Sequence, residues 1–339
     1  MKDVRAEALA QWARRADLNV DIPVTAELTP VSDDASFRRY FRFDRGAISL
    51  VFVDAPPEHE DNESFVRVAA ALGAAGLNCP RVLAVDYEDG FMAVTDLGDR
   101  LYLDEISEHP DRVAPLYDDA SDAILSMLPI QCDLPHYDAD RLMTEMSLFH
   151  EWFLIRQLEL AVTADELTML ESVYRRLADN ALEQPQGFVH RDFHARNLMV
   201  QSSDGPGIID FQDAVMGPVT YDLVSLFKDC YYRFDRSLVL DRVERFRRQL
   251  IAAGILSEED PLLRWFDLMG AQRHLKCAGI FSRLNLRDGK QRYLADIPLV
   301  VSYLVEVTAI YPDLEELHQW LRRRVVSRMG DDVFVRAGS

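Results

Sequence analysis

Apolar residues along the first hundred positions switch repeatedly between two periods. Val4, Ala8, Leu9 and Trp12 fall on one helical stripe within residues 4–16. Residues 37–43 alternate instead. Arg38, Tyr40 and Arg42 take one strand face, and Phe37, Phe41 and Phe43 the other. Residues 47–53 form a continuous apolar run, the pattern of a buried strand. Phe65, Val68, Ala69 and Leu72 restore helical spacing over 63–75. Two more strand-like runs, 81–85 and 91–95, are split by a turn at Glu88, Asp89 and Gly90.

Beyond residue 100 the helical period dominates. Val113, Leu116, Tyr117, Ala120, Ile124 and Leu128 form one stripe, and Leu142, Met146, Phe149 and Phe153 another. Thr163 and Glu166 make a capping box that opens a further helix. Helical patterns follow over 220–230, 236–252, 261–283, 291–309 and 313–328. A single β-rich island interrupts them at 187–213. The chain thus reads as an α+β fold of two lobes. A small β-rich lobe spans 1–95 and a larger, mostly helical lobe spans 96–339, with the junction at Thr95, Asp96 and Leu97. A cleft between two lobes is a common small-molecule site.

Composition narrows the partners. The 339 residues carry 37 Lys+Arg against 57 Asp+Glu, a net charge of −20. So acidic a surface argues against nucleic acid and anionic membranes as partners. A small anion in a local basic pocket stays possible. Lysine occurs only at Lys2, Lys228, Lys276 and Lys290, so nearly all positive charge is arginine. The cysteines, Cys79, Cys132, Cys230 and Cys277, form no C-x-x-C pair. The polar start of the chain has no signal-peptide pattern, and no apolar run reaches membrane-spanning length. A cytoplasmic protein, monomeric or weakly dimeric, is expected.

The island concentrates the chemistry. It runs strand (Phe188, Val189), polar loop (190–197), strand (198–200), Gly/Pro turn, strand (Ile208, Ile209), then Asp210. The hairpin brings Asn197 and Asp210 side by side. An amide oxygen and a carboxylate are hard ligands suited to Mg²⁺ with phosphate completing its shell. Asp192, on the same loop, is placed to accept a proton from an attacking hydroxyl. Base, amide and metal carboxylate are the parts of phosphoryl transfer. A competing reading takes His190, Asp192 and His194 as a transition-metal site, but it leaves Asn197 and Asp210 unexplained.

The string HRDFHARNLMV followed by IIDF resembles the aminoglycoside phosphotransferase and choline kinase family, which has the protein-kinase-like fold. Four segments, DASFRRYFR, DAPPE, LFHEWFL and QRHLKCAGIFSRLNLRDGK, are similar to the bacterial kinases that phosphorylate N-acetylmuramate and N-acetylglucosamine at the anomeric hydroxyl. The resemblance implies ATP as co-substrate, Mg²⁺ as cofactor, an amino sugar as acceptor and a sugar 1-phosphate for peptidoglycan recycling. It makes Asp192 the base and Asn197 and Asp210 the metal ligands. His190 is structural. Asp222 braces the catalytic loop by accepting its backbone hydrogen bonds, or else caps the 220–230 helix. Thr95, Asp96 and Leu97 resemble the hinge that meets a purine edge.

The pattern departs in one respect. Kinases of this fold carry a strand lysine for the α/β-phosphates, and residues 47–53 contain none. Arg38 or Arg42, helped by Ser36, is the expected replacement; a solvated strand face is the rival reading. The missing lysine also keeps open a kinase-like protein that binds nucleotide without catalysis. For the acceptor, Phe149 and Trp152 are expected to stack on a sugar ring with Glu145 nearby. Gln212 and Asp213 should lie near the transferred phosphoryl. Arg273, His274 and Lys276 form a cationic cluster suited to an anionic or neutral sugar. Another small-alcohol kinase and an aminoglycoside phosphotransferase are the alternative readings.

Overall fold

The computed structural model describes residues 3–330 except 19, 21, 24–26, 32–36, 47 and 203–204. Ser36 therefore lies outside the described residues.

The chain opens with α1 (Val4–Ala13), capped by the Asp3 side chain accepting from Ala6 N–H. A five-stranded antiparallel sheet follows, in spatial order β1-β2-β3-β5-β4. Its strands are β1 (Thr29–Pro30), β2 (Arg39–Arg45), β3 (Ile48–Asp54), β4 (Val82–Asp86) and β5 (Phe91–Thr95). The helix α2 (Asn62–Ala74) connects β3 to β4. The register pairs Tyr40 with Val53, Arg42 with Val51 and Val51 with Val94. The alternation read along 37–43 sorts side chains much as expected. Phe41, Phe43, Leu50 and Phe52 pack with α1 in one small core, while Tyr40, Arg42 and Val51 face the opposite way. Phe37 is the exception. It precedes β2, is 63% exposed, and stacks on His59 at 4.1 Å.

Two local contacts fix this lobe. Asp54 is fully buried at the end of β3 and takes Arg5 Nε at 2.8 Å and Arg39 Nε at 3.0 Å. The turn before β5 needs glycine: Gly90 has φ +72°, and a Cβ there would lie 2.1 Å from the Ala55 carbonyl.

The larger lobe is helical. It contains α3 (Tyr102–Glu108), α4 (Val113–Met127), α5 (Ala139–Leu148) and α6 (Ala164–Leu182). Between the last two, α5 widens into a π-helix over Phe149–Gln157. The Thr163–Glu166 capping box is present. Then come α7 (Tyr221–Phe227), α8 (Arg236–Ala252), α9 (Leu262–Asp288) and α10 (Ile297–Thr308). Residues 291–309 are not one helix: a 3-10 turn over Gln291–Asp296 precedes α10, whose first turn holds Pro298. The long α9 is buried around its whole girth from Trp265 to Gly279 and packs on α5, α6, α10 and the π-helix. It is the axis of the main core. Among the described residues, no helix is long and apolar enough to cross a membrane.

The island resolves into two small sheets. β6 (Gln186–Val189) pairs with β9 (Val215–Pro218), and β7 (Leu198–Met199) pairs with β8 (Gly207–Ile208). The hairpin is as expected. The partner strand β9 lies beyond the segment that the sequence marked as β-rich.

Candidate active site

The β7–β8 hairpin brings Asn197 and Asp210 together as its register requires. Asn197 Nδ2 donates to Asp210 Oδ2 at 3.0 Å and to the Asp192 carbonyl at 3.0 Å. One amide thus ties the middle of the 190–197 loop to the end of the hairpin. Gln212 Nε2 donates to the other Asp210 oxygen at 2.8 Å. Asp210 has φ +63° and Arg191 φ +77°, left-handed conformations that are costly for residues with a Cβ. Both flank the loop's functional groups, and both are held by surrounding bonds.

The holding is done from below. Asp222 accepts His190 N–H at 2.7 Å and Arg191 N–H at 3.0 Å. It lies in the first turn of α7, whose N-terminus has no side-chain cap bond, and its two oxygens are spent on the loop. Burial raises its carboxyl to about 6 even against these two bonds. A second buried carboxylate, Asp229, accepts Ala195 N–H at 3.3 Å and was not singled out from the sequence. His190 is fully buried. Its Nε2 meets the Ile209 carbonyl at 3.0 Å and its Nδ1 accepts from Asp192 N–H at 3.3 Å. These partners assign a neutral ring protonated on Nε2. Both ring nitrogens of His190 are thus engaged by backbone groups.

Asp192 sits over a buried charge network. Lys276 Nζ lies 3.2 Å from Glu145 Oε2 and donates to the Tyr221 hydroxyl at 3.0 Å. Arg191 Nη2 and the Tyr137 hydroxyl also reach Glu145. Burial alone would raise the Asp192 carboxyl. The cations of Lys276, Arg191 and Arg273 bring it down to about 2 instead. His194, two residues on, is pushed down to about 3 by burial and is neutral at pH 7.

Several expected acceptor contacts fall elsewhere. Phe149 is fully buried against Phe153 at 5.3 Å, so it belongs to the core and cannot stack on a ligand. Trp152 is half-buried and carries the Arg156 guanidinium 4.1 Å over its ring. Of the cationic cluster, Arg273 and Lys276 share the α9 face toward Asp192. His274 is turned away by roughly 100°, the angle of one helical step. Its ring stacks on Tyr303 at 4.8 Å and its Nε2 meets the Lys228 carbonyl at 3.0 Å. Glu145 is present, but as the counter-ion of Arg191 and Lys276. Asp213 is exposed beside Gln212.

Above the hairpin a cleft of about 280 Å³ opens between the lobes. Tyr40, Val51, Val94, Met199 and Ile209 give it apolar walls, and Asn197 and Asp210 lie at one end. Thr95, Asp96 and Leu97 line the other side. Thr95 is bonded to Arg81 through both its hydroxyl and its N–H, and Gln201 Nε2 donates to the Leu97 carbonyl at 2.7 Å. Asp96 pairs with Arg42 and accepts from Ser49.

The donor set fits Mg²⁺. Asn197 and Asp210 supply hard oxygen ligands on a rigid hairpin, and Mg²⁺ takes few protein ligands because it keeps waters and phosphate oxygens. Among the described residues, no group of three His, Cys, Asp or Glu side chains forms a competing all-protein metal site. That includes His190, Asp192 and His194, whose imidazoles are committed elsewhere or turned to Tyr231.

Comparison with known proteins shows the family. A family model described as the phosphotransferase enzyme family matches residues 27–265. A Pseudomonas aeruginosa protein named N-acetylmuramate/N-acetylglucosamine kinase is 45% identical over 301 residues, covering 87% of this chain and 88% of its own. A Neisseria meningitidis protein of the same name is 37% identical, covering 90% and 92%. Among solved structures, an ADP-bound aminoglycoside phosphotransferase, APH(2'')-Ib, superposes with TM-score 0.59 at 15% identity, covering 90% of this chain and 99% of that one. The choline kinase LicA from Streptococcus pneumoniae gives 0.57 at 13% identity, covering 83% and 94%. The fold is thus the protein-kinase-like fold that these structures share, and the chain belongs to the phosphotransferase enzyme family.

Proposed function

We propose that this phosphotransferase is an ATP- and Mg²⁺-dependent kinase that phosphorylates the anomeric hydroxyl of N-acetylmuramate or N-acetylglucosamine. The observation that supports this reading is the bonding of Asn197 to both Asp210 and the Asp192 carbonyl, with Asn197 and Asp210 lining the cleft. The apolar walls suit a flat purine, with the residues Thr95 to Leu97 along its edge. Asn197 and Asp210 would hold the metal, which supplies charge neutralisation on the phosphates.

Asp192 accepts the hydroxyl proton as the new P–O bond forms, and the bond from the γ-phosphorus to the bridging oxygen breaks to release ADP. With its carboxyl near 2, Asp192 is a weak base that is always ionised at neutral pH. A loose phosphoryl-transfer transition state demands little proton removal before bond formation, so orientation matters more than basicity. An anomeric hydroxyl is more acidic than an ordinary alcohol because the ring oxygen withdraws electrons, which suits such a base.

The acceptor identity is supported by the names of relatives that this chain covers almost end to end. A sugar 1-phosphate is a precursor for nucleotide-sugar synthesis, and the resemblance to cell-wall sugar kinases implies a cytoplasmic role in salvaging cell-wall fragments. The test is a panel of N-acetylmuramate, N-acetylglucosamine, choline and kanamycin with MgATP, read by phosphorus NMR. An anomeric phosphate on the amino sugars is expected. A 6-phosphate, or turnover of kanamycin alone, overturns the reading.

A further inference from the structure

The cleft face of β3 carries valines where a nucleotide's phosphates need a cation, so the positive charge must come from another element. Two arginines are at hand, and the structure separates them. Arg42 lies in mid-β2, at the hinge end. It donates to Asp96 Oδ1 at 2.9 Å and to the Gly98 carbonyl at 3.0 Å, and it also pairs with Asp99. Its single charge is matched by two carboxylates, so it has little left to offer an anion.

Arg38 stands four residues earlier, about 13 Å along the strand direction at ~3.3 Å per residue. It is only 3% exposed. Its Nη2 lies 3.2 Å from Glu60 Oε2, and its guanidinium covers the Phe65 ring at 4.9 Å. Phe65 in turn packs on Phe211 at 4.8 Å, and Phe211 directly follows Asp210. Beside it, Ser64 Oγ donates to the Gln212 carbonyl at 3.4 Å. The chain of contacts therefore runs from Arg38 through α2 to the metal-binding end of the cleft. A guanidinium laid on an aromatic face and paired with a carboxylate keeps its planar fork in a fixed orientation.

We infer that Arg38, oriented by Glu60 and Phe65, is the residue that contacts the nucleotide's phosphates, and that Arg42 instead secures the hinge. The inference rests on the nucleotide reading of the cleft given above. Glu60 is a positioning residue: it touches Arg38 rather than the ligand.

Calorimetric binding of MgATP, MgADP and adenosine to the full chain separates these roles. Arg38→Met should weaken ATP and ADP about ten- to a hundred-fold, the worth of one charge-assisted contact, and adenosine less than about twofold. Arg38→Lys should recover part of the loss, and Glu60→Gln should reproduce part of it. Arg42→Met should affect adenosine and ATP alike. If Arg38→Met fails to fold, Arg38→Lys and Glu60→Gln carry the comparison. Equal losses for adenosine and ATP in the Arg38 variants, or a phosphate-selective loss in Arg42→Met, overturn the assignment. Wild-type protein that binds ATP no better than adenosine removes the inference but leaves a purine site. Wild-type protein that binds none of the three removes the nucleotide reading as well.

Discussion

Asp222 holds the 190–197 loop by both of its carboxylate oxygens, one on His190 N–H at 2.7 Å and one on Arg191 N–H at 3.0 Å. The second of these bonds pins a residue at φ +77°, so the brace also sustains the strained backbone that precedes Asp192. An amide has only one acceptor oxygen. Asp222→Asn must therefore oppose an NH₂ group to one of the two backbone donors. The expected cost is about 1–3 kcal/mol of stability, the penalty of a buried donor left unmade. Turnover should fall more than nucleotide affinity, because the loop carries Asp192 while the purine pocket lies on other elements. A variant with normal kcat and only a lower melting temperature would reduce Asp222 to a packing residue.

Asp192→Asn tests the base directly. The amide is isosteric but cannot take a proton, so kcat should drop by about two to four orders of magnitude, the range for a lost general base. Nucleotide binding should persist, because a group that acts on the barrier contributes little to ground-state affinity. Rapid-mix turnover assays and calorimetry on the same preparation check both halves. Retained turnover would place the proton acceptor elsewhere.

The charge network below the loop makes a prediction about pH. Burial opposes ionisation of Asp192, and Lys276, Arg191 and Arg273 overcome it, bringing the carboxyl to about 2. The folded protein thus binds this proton less tightly than the unfolded chain, whose carboxyl titrates near its ordinary value of 3.8. The resulting stabilisation is present above about pH 4 and is lost as pH falls toward about 2. It also keeps the base ionised throughout the working range. Lys276→Met removes the cation that lowers this carboxyl most while Arg191 still pairs with Glu145. The Asp192 carboxyl should then rise, and an acid limb governed by it should move to higher pH in kcat/KM. Profiles that superpose for wild type and variant would show that Lys276 does not set the charge of the base.

How much of this was legible follows from which contacts are local in sequence. The loop 190–197 and Asp210 are separated only by a hairpin, so the residues that share the site could be read from spacing alone. Asp229 and Glu60 could not, because each reaches its partner across tertiary packing, and Glu145, expected near the acceptor, is instead the counter-ion of Arg191 and Lys276. His274 is an instructive case. Helical geometry already places residues 273 and 276 on one face and 274 on another, and the adjacency of three cations along the chain obscured it. Phe149 was ambiguous for a different reason. An aromatic residue at helical spacing satisfies a core and a sugar platform equally well, and only burial distinguishes them. The strand β9 lies outside the β-rich segment because Val215–Pro218 contains a glycine and a proline, residues depleted in strand interiors.

The crossing of α9 over the end of α5 yields a prediction for stability and activity together. Gly279 lies where a Cβ would come within 2.4 Å of the Leu148 carbonyl carbon and 2.5 Å of its Cβ. Leu148 ends α5, next to the π-helix that follows, so the backbone there has no room to yield. Gly279→Ala should therefore force α9 away from α5, at a cost of roughly 1–3 kcal/mol or more. The displacement also separates Lys276 on α9 from Glu145 on α5, now 3.2 Å apart, so kcat should fall in the folded fraction as well. Gly73 is the matched comparison: it sits in α2 with nothing within 4 Å of a built Cβ. Gly73→Ala should stabilise by about 0.5–1 kcal/mol, the helix-propensity gain of an unstrained alanine. Denaturant midpoints and kcat/KM for the two variants should move in opposite directions for stability and only in Gly279→Ala for activity. A Gly279→Ala protein as stable and active as wild type would mean that the two helices can part without disturbing the charges beneath Asp192.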